Sequence, residues 1–187
     1  MLPVDRMPEA EVTLRLAIAL IEGNHSIGDV DAAIDGAQVK TMDKIHFPIV
    51  EFLESLGWHG EDSKRWQCAY HHPNHRQSIV VHSSSGEGDL VALLANGKTL
   101  RVESKKGTLK RSKSSKEYPL IREAIGQLMT IEFADPNNIL AVAVPNSTKF
   151  TELAKLWRKR PLMVNAGIHI ITVDRNNKLS GLESFNI

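Results

Sequence analysis

The sequence predicts an α/β fold in which helices flank a mixed β-sheet. Residues 90–95 and 99–103 are strand-like segments on either side of Asn96-Gly97, the strongest short hairpin signal in the chain. Residues 139–144 and 168–173 are continuous apolar runs, which are typical of strands buried on both faces. Helical patterns lie between these runs, so the later strands should be joined through helices.

The amino-terminal part of the chain contains two helical patterns with a turn-rich stretch between them. Apolar residues recur at helical spacing over residues 11–21, and Gly23 follows as a helix-ending residue. Residues 30–39 are rich in turn formers, and Asp35-Gly36 predicts a hairpin there. A second helix is predicted between Pro48 and Gly57, because proline is favoured in a first helical turn and glycine after the last.

The rest of the chain supplies the predicted sheet and its crossover helices. Residues 78–82 predict a strand that ends at a serine-rich turn. Pro119 opens a helix after a lysine-rich segment, and a further helix is predicted over residues 148–159. We therefore expect a core domain over residues 46–187 and an extension of helix plus hairpin over residues 1–45.

Composition places the chain among ordinary globular proteins. It has 187 residues, of which 42% are hydrophobic and 24% charged, with a net charge of +1. No apolar run is long enough for a membrane-spanning helix, and the first residues lack the pattern of a signal peptide. The single cysteine, Cys68, excludes an internal disulfide and a cysteine-based zinc site. We expect a cytoplasmic protein without a membrane partner.

The register of the central hairpin decides which side chains meet. Even-numbered positions are apolar in both strands, so pairing even with even places them on one core face. A three-residue loop, Asn96-Gly97-Lys98, gives that parity if Gly97 or Lys98 adopts the left-handed conformation. A two-residue Asn-Gly turn would reverse the parity, and we therefore predict the longer loop.

With this register, Asp89, Glu103 and Lys105 project together from the other face of the hairpin. Clustered carboxylates raise each other's pKa unless a cation lies between them. A divalent ion with oxygen ligands, such as Mg²⁺, would relieve that repulsion. Such an ion can polarise a phosphoryl oxygen and activate a water molecule, while Lys105 could orient that water or offset charge in the transition state.

These residues resemble the motif of the PD-(D/E)xK nucleases. The resemblance consists of Gly88-Asp89, a hairpin, Glu103-Ser104-Lys105-Lys106-Gly107 at a strand end, and a downstream helix carrying Gln127. It extends over residues 47–173, with Gly88 in place of the proline of the family name. It implies a restriction-endonuclease-like fold and Mg²⁺-dependent cleavage of DNA phosphodiesters, with Mn²⁺ as a substitute.

The resemblance also implies roles for individual residues. Asp89, Glu103 and the main-chain carbonyl of Ser104 would bind the metal, Lys105 would assist the attacking water, and Gln127 would be an accessory group. The family often adds an acid from the helix before the sheet. Here that acid could be Glu51 or Glu54. Separately, Glu87, between Gly86 and Gly88, could be a third acid at the site.

A run of basic residues follows the motif and suggests contacts with nucleic-acid phosphates. Beside an acidic metal site it would form a phosphate-binding strip, although such runs are usually solvated loops. Its candidate DNA-binding residues are Lys106, Lys110, Arg111, Lys113 and Lys116. DNA is the expected partner, and a homodimer is one way for such an enzyme to reach both strands.

Two other functions remain open at this level. The same fold could serve as a non-catalytic nucleic-acid-binding or regulatory module that uses the basic strip alone. The chain could also be an interaction protein without a nucleic-acid role. The plainest alternative for Glu103 itself is an ion pair with Arg101 or Lys105 on an exposed sheet face.

Overall fold

The structure is a computed structural model that describes residues 3–62, 64–84, 86–110, 116–131 and 136–185. Within these residues the strands are β1 (Arg6–Met7), β2 (Ser26–Ala33), β3 (Lys40–Thr41), β4 (Lys44–Ile45), β5 (His59–Gly60), β6 (Ala69–His71), β7 (Ile79–His82), β8 (Leu90–Leu94), β9 (Thr99–Ser104), β10 (Gly107–Thr108), β11 (Asn138–Pro145), β12 (Ile168–Val173) and β13 (Leu179–Ser180). The helices are α1 (Glu9–Glu22), α2 (Gly36–Val39), α3 (Ile49–Glu54), α4 (Glu117–Leu128), α5 (Thr148–Trp157), α6 (Pro161–Ala166) and a short 3-10 helix (Glu183–Phe185).

Nine of the strands formed by the described residues make one mixed sheet, in the order β13-β12-β11-β9-β8-β2-β7-β6-β5. β9, β11 and β12 run parallel, with α4 between the first two and α5 and α6 between the last two. β8 is antiparallel to both β9 and β2. The predicted α/β class with a mixed sheet is confirmed.

Helices cover both faces of this sheet. α1 packs on one face, where it meets apolar residues from β2, β7, β8, β9, β11 and β12. α4, α5 and α6 pack on the other face, over β11 and β12. The residues of β11 alternate between the two cores, with Ala141 and Ala143 towards α1 and Val142 and Val144 towards α4 and α5. This explains the continuous apolar run of that strand.

α1 is a buried helix, and its position determines where the amino-terminal residues lie. The helix is buried along most of its length, and its buried polar residues include Glu11 and Arg15. Those two side chains pair at 2.9 Å, and Glu11 also pairs with Arg175 from the turn after β12. A charged residue is tolerated at such a position only with a partner. The helix predicted over residues 11–21 is confirmed, two residues longer at its start.

The predicted parity of the β8–β9 hairpin is confirmed. Leu90 faces Val102 and Ala92 faces Leu100, so even positions pair with even ones. The loop itself lies one residue earlier than predicted, over residues 95–97: the N–H of Leu94 donates to the carbonyl of Lys98 at 2.8 Å. Gly97 takes the left-handed conformation, with φ of 79°.

The hairpin predicted at Asp35-Gly36 is wrong. Residues 26–33 form β2, a strand in the middle of the sheet, and Asp35 then caps α2 by accepting a 2.9 Å hydrogen bond from the N–H of Ala37. A small hairpin does form, but it follows the predicted segment and joins β3 to β4. Residues predicted as an extension, 1–45, therefore contribute α1 and a central strand to the main core.

The other predicted elements are confirmed with small shifts at their ends: α3, β7, α4, β11, α5 and β12. The elements without a sequence prediction include α6, the paired strands β5 and β6, the edge strand β13 and the β1–β10 pair. Their short lengths give periodicity too few residues to work on. In the part of the chain that the structure describes, no helix is both long and apolar enough to cross a membrane.

Candidate active site

A cleft opens where the amino end of β8 meets the carboxyl end of β9. The two strands are antiparallel, and the pairing of Leu90 with Val102 brings Asp89 beside Glu103 at the end of the hairpin. Both residues line a cleft of about 470 Å³. The other residues that line it are Ala33, Ile34, Asp35, Ser83, Ser84, Gly86, Gly88, Gln127, Thr130 and Ile131.

Asp89 is held by main-chain geometry on both sides. Gly88 has φ of +105°, and a Cβ atom there would lie 2.8 Å from the carbonyl oxygen of Val102. Proline, whose φ is close to −65°, could not adopt this conformation. The main-chain N–H of Ser104 donates a 2.7 Å hydrogen bond to Asp89 Oδ2. Burial raises the pKa of Asp89 to about 6, although this hydrogen bond opposes the shift.

Glu103 is a buried acid of the cleft whose pKa is raised, like that of Asp89. Its residue is only 9% exposed. Burial, with a further contribution from Asp89, raises the pKa of Glu103 to about 7, and Lys105 acts in the opposite direction. The Glu103 carboxylate forms no hydrogen bond or ion pair with any residue that the structure describes. The interpretation of Glu103 as half of a surface ion pair with Arg101 or Lys105 therefore does not hold, because Arg101 pairs with Glu87 and Lys105 with two other acids.

Lys105 connects the layers on the two faces of the sheet. Its residue is 4% exposed, and its Nζ lies 3.8 Å from Glu9 Oε1 on α1 and 3.3 Å from Glu123 Oε1 on α4. Its main-chain N–H donates to the carbonyl of Ala143 on β11 at 2.8 Å, which fixes the end of β9. The ammonium group is near enough to lower the pKa values of Asp89 and Glu103, although it does not line the cleft.

Glu9 is a site residue that the sequence analysis missed. Besides Lys105, its carboxylate accepts a hydrogen bond from Gln38 Nε2 at 3.2 Å and one from the N–H of Lys106 at 3.4 Å. Its charge contributes to raising the pKa values of Asp89 and Glu103. The available signal was Pro8 followed by two acids at the start of the first helical pattern, which marks a helix amino terminus. Nothing in the sequence indicates that this end reaches a strand almost a hundred residues later.

Gln127 and the Ser104 carbonyl are also positioned towards Asp89 and Glu103. Gln127 lies one helical turn after Glu123 on α4 and lines the cleft. Ser104 directs its N–H to Asp89, and the N–H and C=O of one strand residue point to the same side. Its carbonyl therefore points away from β11 and towards the Asp89 side of β9.

None of the three predicted accessory acids lines the cleft. Glu51 and Glu54 are exposed on α3. They lie near Tyr70 of β6, towards the far edge of the sheet: burial raises the pKa of Tyr70, and Cys68, Glu54 and Glu51 add to that shift. α3 cannot bring them to the cleft because α1, not α3, is the helix whose end meets β9. Glu87 is exposed and pairs with Arg101.

Part of the predicted basic strip borders a second groove beside the cleft. Lys106 and Lys116 are exposed and line this groove of about 590 Å³ together with Arg6, and Glu9 forms part of its wall. Lys110 is exposed beyond β10. Arg111 and Lys113, also predicted to bind nucleic acid, lie outside the described residues.

The cleft contains oxygen donors of the type that a small divalent cation uses. Asp89 Oδ1 forms no hydrogen bond with any described residue. The Glu103 carboxylate likewise forms neither a hydrogen bond nor an ion pair with a described residue. The described residues contain no group of three or more His, Cys, Asp or Glu side chains placed to hold a metal. Mg²⁺ commonly uses only one or two carboxylates and completes its shell with waters and substrate phosphates. Asp89, Glu103 and the Ser104 carbonyl could together hold such an ion.

Comparison of the chain with protein-family models, with curated proteins and with solved structures found no match. The chemistry open to the cleft therefore follows from its own geometry.

Proposed function

We propose that this chain is a Mg²⁺-dependent nuclease that hydrolyses DNA phosphodiester bonds on a restriction-endonuclease-like fold. The order of helix, antiparallel strands, helix and parallel strand, with the two acids on neighbouring strands, supports this fold. DNA restriction, repair and defence against mobile elements are processes that use such an activity. The proposal also implies a location inside the cell, where such DNA is found.

One observation carries the proposal. Two carboxyl groups, those of Asp89 and Glu103, share one water-accessible cleft, and burial raises their pKa values to about 6 and about 7. A fold that needed no ligand here would be more stable with neutral side chains, because clustered buried acids destabilise it. Perturbed acids in a cleft are typical of functional sites.

The roles of the chain's own residues follow from their contacts. Asp89 and Glu103 lose their protons near neutral pH and then present oxygen ligands to the cation. Mg²⁺, when bound, would supply the Lewis acid that polarises a phosphoryl oxygen and activates water. Lys105, held between Glu9 and Glu123, would offset negative charge that develops on the phosphoryl group. The Gln127 amide could orient the water or a phosphate oxygen.

The cationic residues of the groove beside the cleft support the proposal of a polyanionic substrate. Arg6, Lys106 and Lys116 border it, and cations in such a groove would bind backbone phosphates next to the reacting one. Phosphate contacts of this kind position a substrate without reading its sequence.

Cleavage of a plasmid and of a labelled linear DNA, with Mg²⁺, Mn²⁺ or EDTA, tests the proposal. Glu103→Gln and Lys105→Ala should each reduce the cleavage rate about a hundredfold or more. Glu103→Gln removes a proposed metal ligand, and Lys105→Ala removes the positive charge that lowers the pKa values of Asp89 and Glu103. Glu87→Gln is the matched control, since it removes an exposed acid that neighbours the cleft in the sequence but does not line it.

Circular dichroism and thermal unfolding would establish that the variants are folded. Wild-type cleavage in EDTA, or folded Glu103→Gln and Lys105→Ala proteins that cut DNA as fast as the parent, would refute the proposed site.

A non-catalytic nucleic-acid-binding module is the second candidate. It is favoured by the small number of metal-ligating side chains in the described residues. Salt-dependent DNA binding that requires Lys106 and Lys116, without Mg²⁺-dependent cleavage, would establish that alternative.

A further inference from the structure

Another open groove, separate from the one that Lys106 and Lys116 line, lies between α4 and the α5–α6 segment, and two aromatic rings form part of its wall. Tyr118 and Trp157 contact each other edge to face, with ring centroids 5.1 Å apart and planes at 85°. The guanidinium of Arg122 lies over the Tyr118 ring at 5.6 Å from its centroid. The groove measures about 600 Å³, and its remaining lining residues are Ile125, Gly126, Leu156, Arg160 and Met163.

The surroundings of this aromatic groove are cationic. Lys155, Lys159 and Arg160 are exposed at its α5 side and form no ion pair with any residue that the structure describes. The acid among them, Glu152, pairs with Lys149 at 3.6 Å. Tyr118 is 42% exposed and Trp157 is half-buried. Accessible aromatic rings among unpaired cations are typical of surfaces that bind single-stranded nucleic acid.

The aromatic groove lies next to the proposed substrate path. Lys116, at the start of α4, borders the groove beside the cleft, and Tyr118 follows it two residues later. On the same helix, Gln127 lines the catalytic cleft while Gly126 lines the aromatic groove. A nucleic-acid chain bound at the cleft and the groove beside it could therefore pass around α4 to the aromatic groove.

We propose that the aromatic groove binds an unpaired segment of the nucleic-acid substrate, whose bases stack on Tyr118 and Trp157 while its phosphates contact the surrounding cations. This inference rests on the proposed function and defines its substrate class as DNA with a single-stranded part. Bases of an intact duplex are already stacked on each other, so only unpaired bases are free to stack on aromatic side chains.

The competing occupant is a protein surface. Leu162 is 81% exposed and Val164 62% exposed on α6 near this groove, and such residues could take part in a protein contact. The charges around the groove favour the polyanion, because an apolar protein surface would not be stabilised by Lys155, Lys159 and Arg160.

Fluorescence anisotropy in EDTA, where no metal-dependent cleavage occurs, tests the inference. The probes are a labelled blunt duplex and the same duplex with a single-stranded thymidine tail. Wild-type protein should bind the tailed duplex about tenfold more tightly, and Tyr118→Ala should remove most of that preference without weakening blunt-duplex binding. Tyr118→Phe, which keeps the ring, should retain the preference.

Leu162→Ala is the matched control, because it shortens an exposed apolar side chain that is not aromatic. Equal affinity for both probes, or loss of the tail preference in Leu162→Ala as well, would overturn the inference. The inference would also be overturned if sedimentation showed that the wild-type protein self-associates and that Tyr118→Ala abolishes this self-association while the tail preference persists. If the protein prefers the tailed duplex but cannot cleave DNA, the aromatic groove binds unpaired bases and only the nuclease proposal is refuted. If the protein cleaves DNA but does not prefer the tailed duplex, the nuclease proposal stands and the inference about the groove is refuted.

Discussion

The main-chain N–H of Ser104 donates a 2.7 Å hydrogen bond to the Asp89 carboxylate, so the strand that carries Glu103 also orients the other acid of the cleft. The bond spans 15 positions of the sequence and closes the open end of the β8–β9 hairpin. A displacement of either strand end would therefore change the positions of both carboxylates together.

Gly88→Ala should displace Asp89. The added Cβ would lie 2.8 Å from the Val102 carbonyl, at a φ of +105° that alanine rarely adopts. We expect a loss of roughly 1–3 kcal/mol in the free energy of unfolding and a loss of metal-dependent cleavage. Gly86→Ala is the control, because φ there is +144° but no atom lies within 4 Å of the added Cβ. Equal activity in the two variants would contradict the proposed role of Gly88.

The stability of metal-free protein should fall as pH rises towards neutral. The pKa of Glu103 is about 7 in the folded protein against an ordinary 4.5, so the folded state retains a proton that the unfolded state releases. Its contribution is therefore present below pH 4.5 and is lost as pH rises through about 7.

Urea unfolding of wild type and Glu103→Gln at acidic and mildly alkaline pH, in EDTA, measures this effect. The wild-type decrease should exceed that of the variant by roughly 1–2 kcal/mol, less than the full pKa shift implies because the cleft admits water. Parallel pH dependences for the two proteins would show that Glu103 does not titrate as described.

Glu9→Gln should make the cleft bind metal at lower pH. The Glu9 charge contributes to the raised pKa values of Asp89 and Glu103, so its removal lowers both. We expect the midpoint of Mn²⁺ binding against pH, measured by calorimetry, to fall by roughly half a unit. Glu22→Gln, at the opposite end of α1, should leave the midpoint unchanged. A shift of the same size in both variants would mean that Glu9 has no particular influence on the cleft.

Arg175→Ala should destabilise the fold and loosen the start of α1. Arg175 donates to the main-chain carbonyls of Pro3 and Arg6 and to the fully buried Glu11 carboxylate, at 2.6, 2.9 and 2.9–3.0 Å respectively. Removing one partner of a buried acid should cost roughly 2–4 kcal/mol in urea unfolding.

Arg65→Ala breaks only an exposed ion pair with Asp62 and serves as the control, for which roughly 0.5 kcal/mol or less is expected. If both substitutions have similar effects, the Glu11 network does not anchor α1.

Lys106→Ala and Lys116→Ala should each flatten the salt dependence of DNA binding. If each lysine neutralises one phosphate, its removal should reduce the slope of log affinity against log salt by about 0.9 for duplex DNA. Lys64→Ala, which removes an exposed lysine near the β5 edge of the sheet, should leave the slope unchanged. A slope that is the same in the wild type and all three variants would show that the DNA does not follow this groove.

Much of the fold could be predicted because its signals are local. The alternating pattern of residues 90–103 determines the parity of the hairpin, and the apolar run at 139–144 indicates a strand buried on both faces. β2 was missed because Gly28, Asp29 and Asp31 interrupt its apolar pattern. Its strand character comes from pairing with β7 and β8 on either side, which no local pattern records.

The sequence alone determined the α/β class, the even-with-even pairing of the hairpin and the placement of Asp89 and Glu103 on one of its faces, because side-chain alternation along a strand is a local property. Only the tertiary structure decided that α1 brings Glu9 to Lys105 and that Glu51 and Glu54 lie elsewhere. It also decided that Tyr118 and Trp157 meet across two helices. Those contacts depend on how whole helices pack on the sheet, and packing joins residues whose separation in the sequence carries no signal.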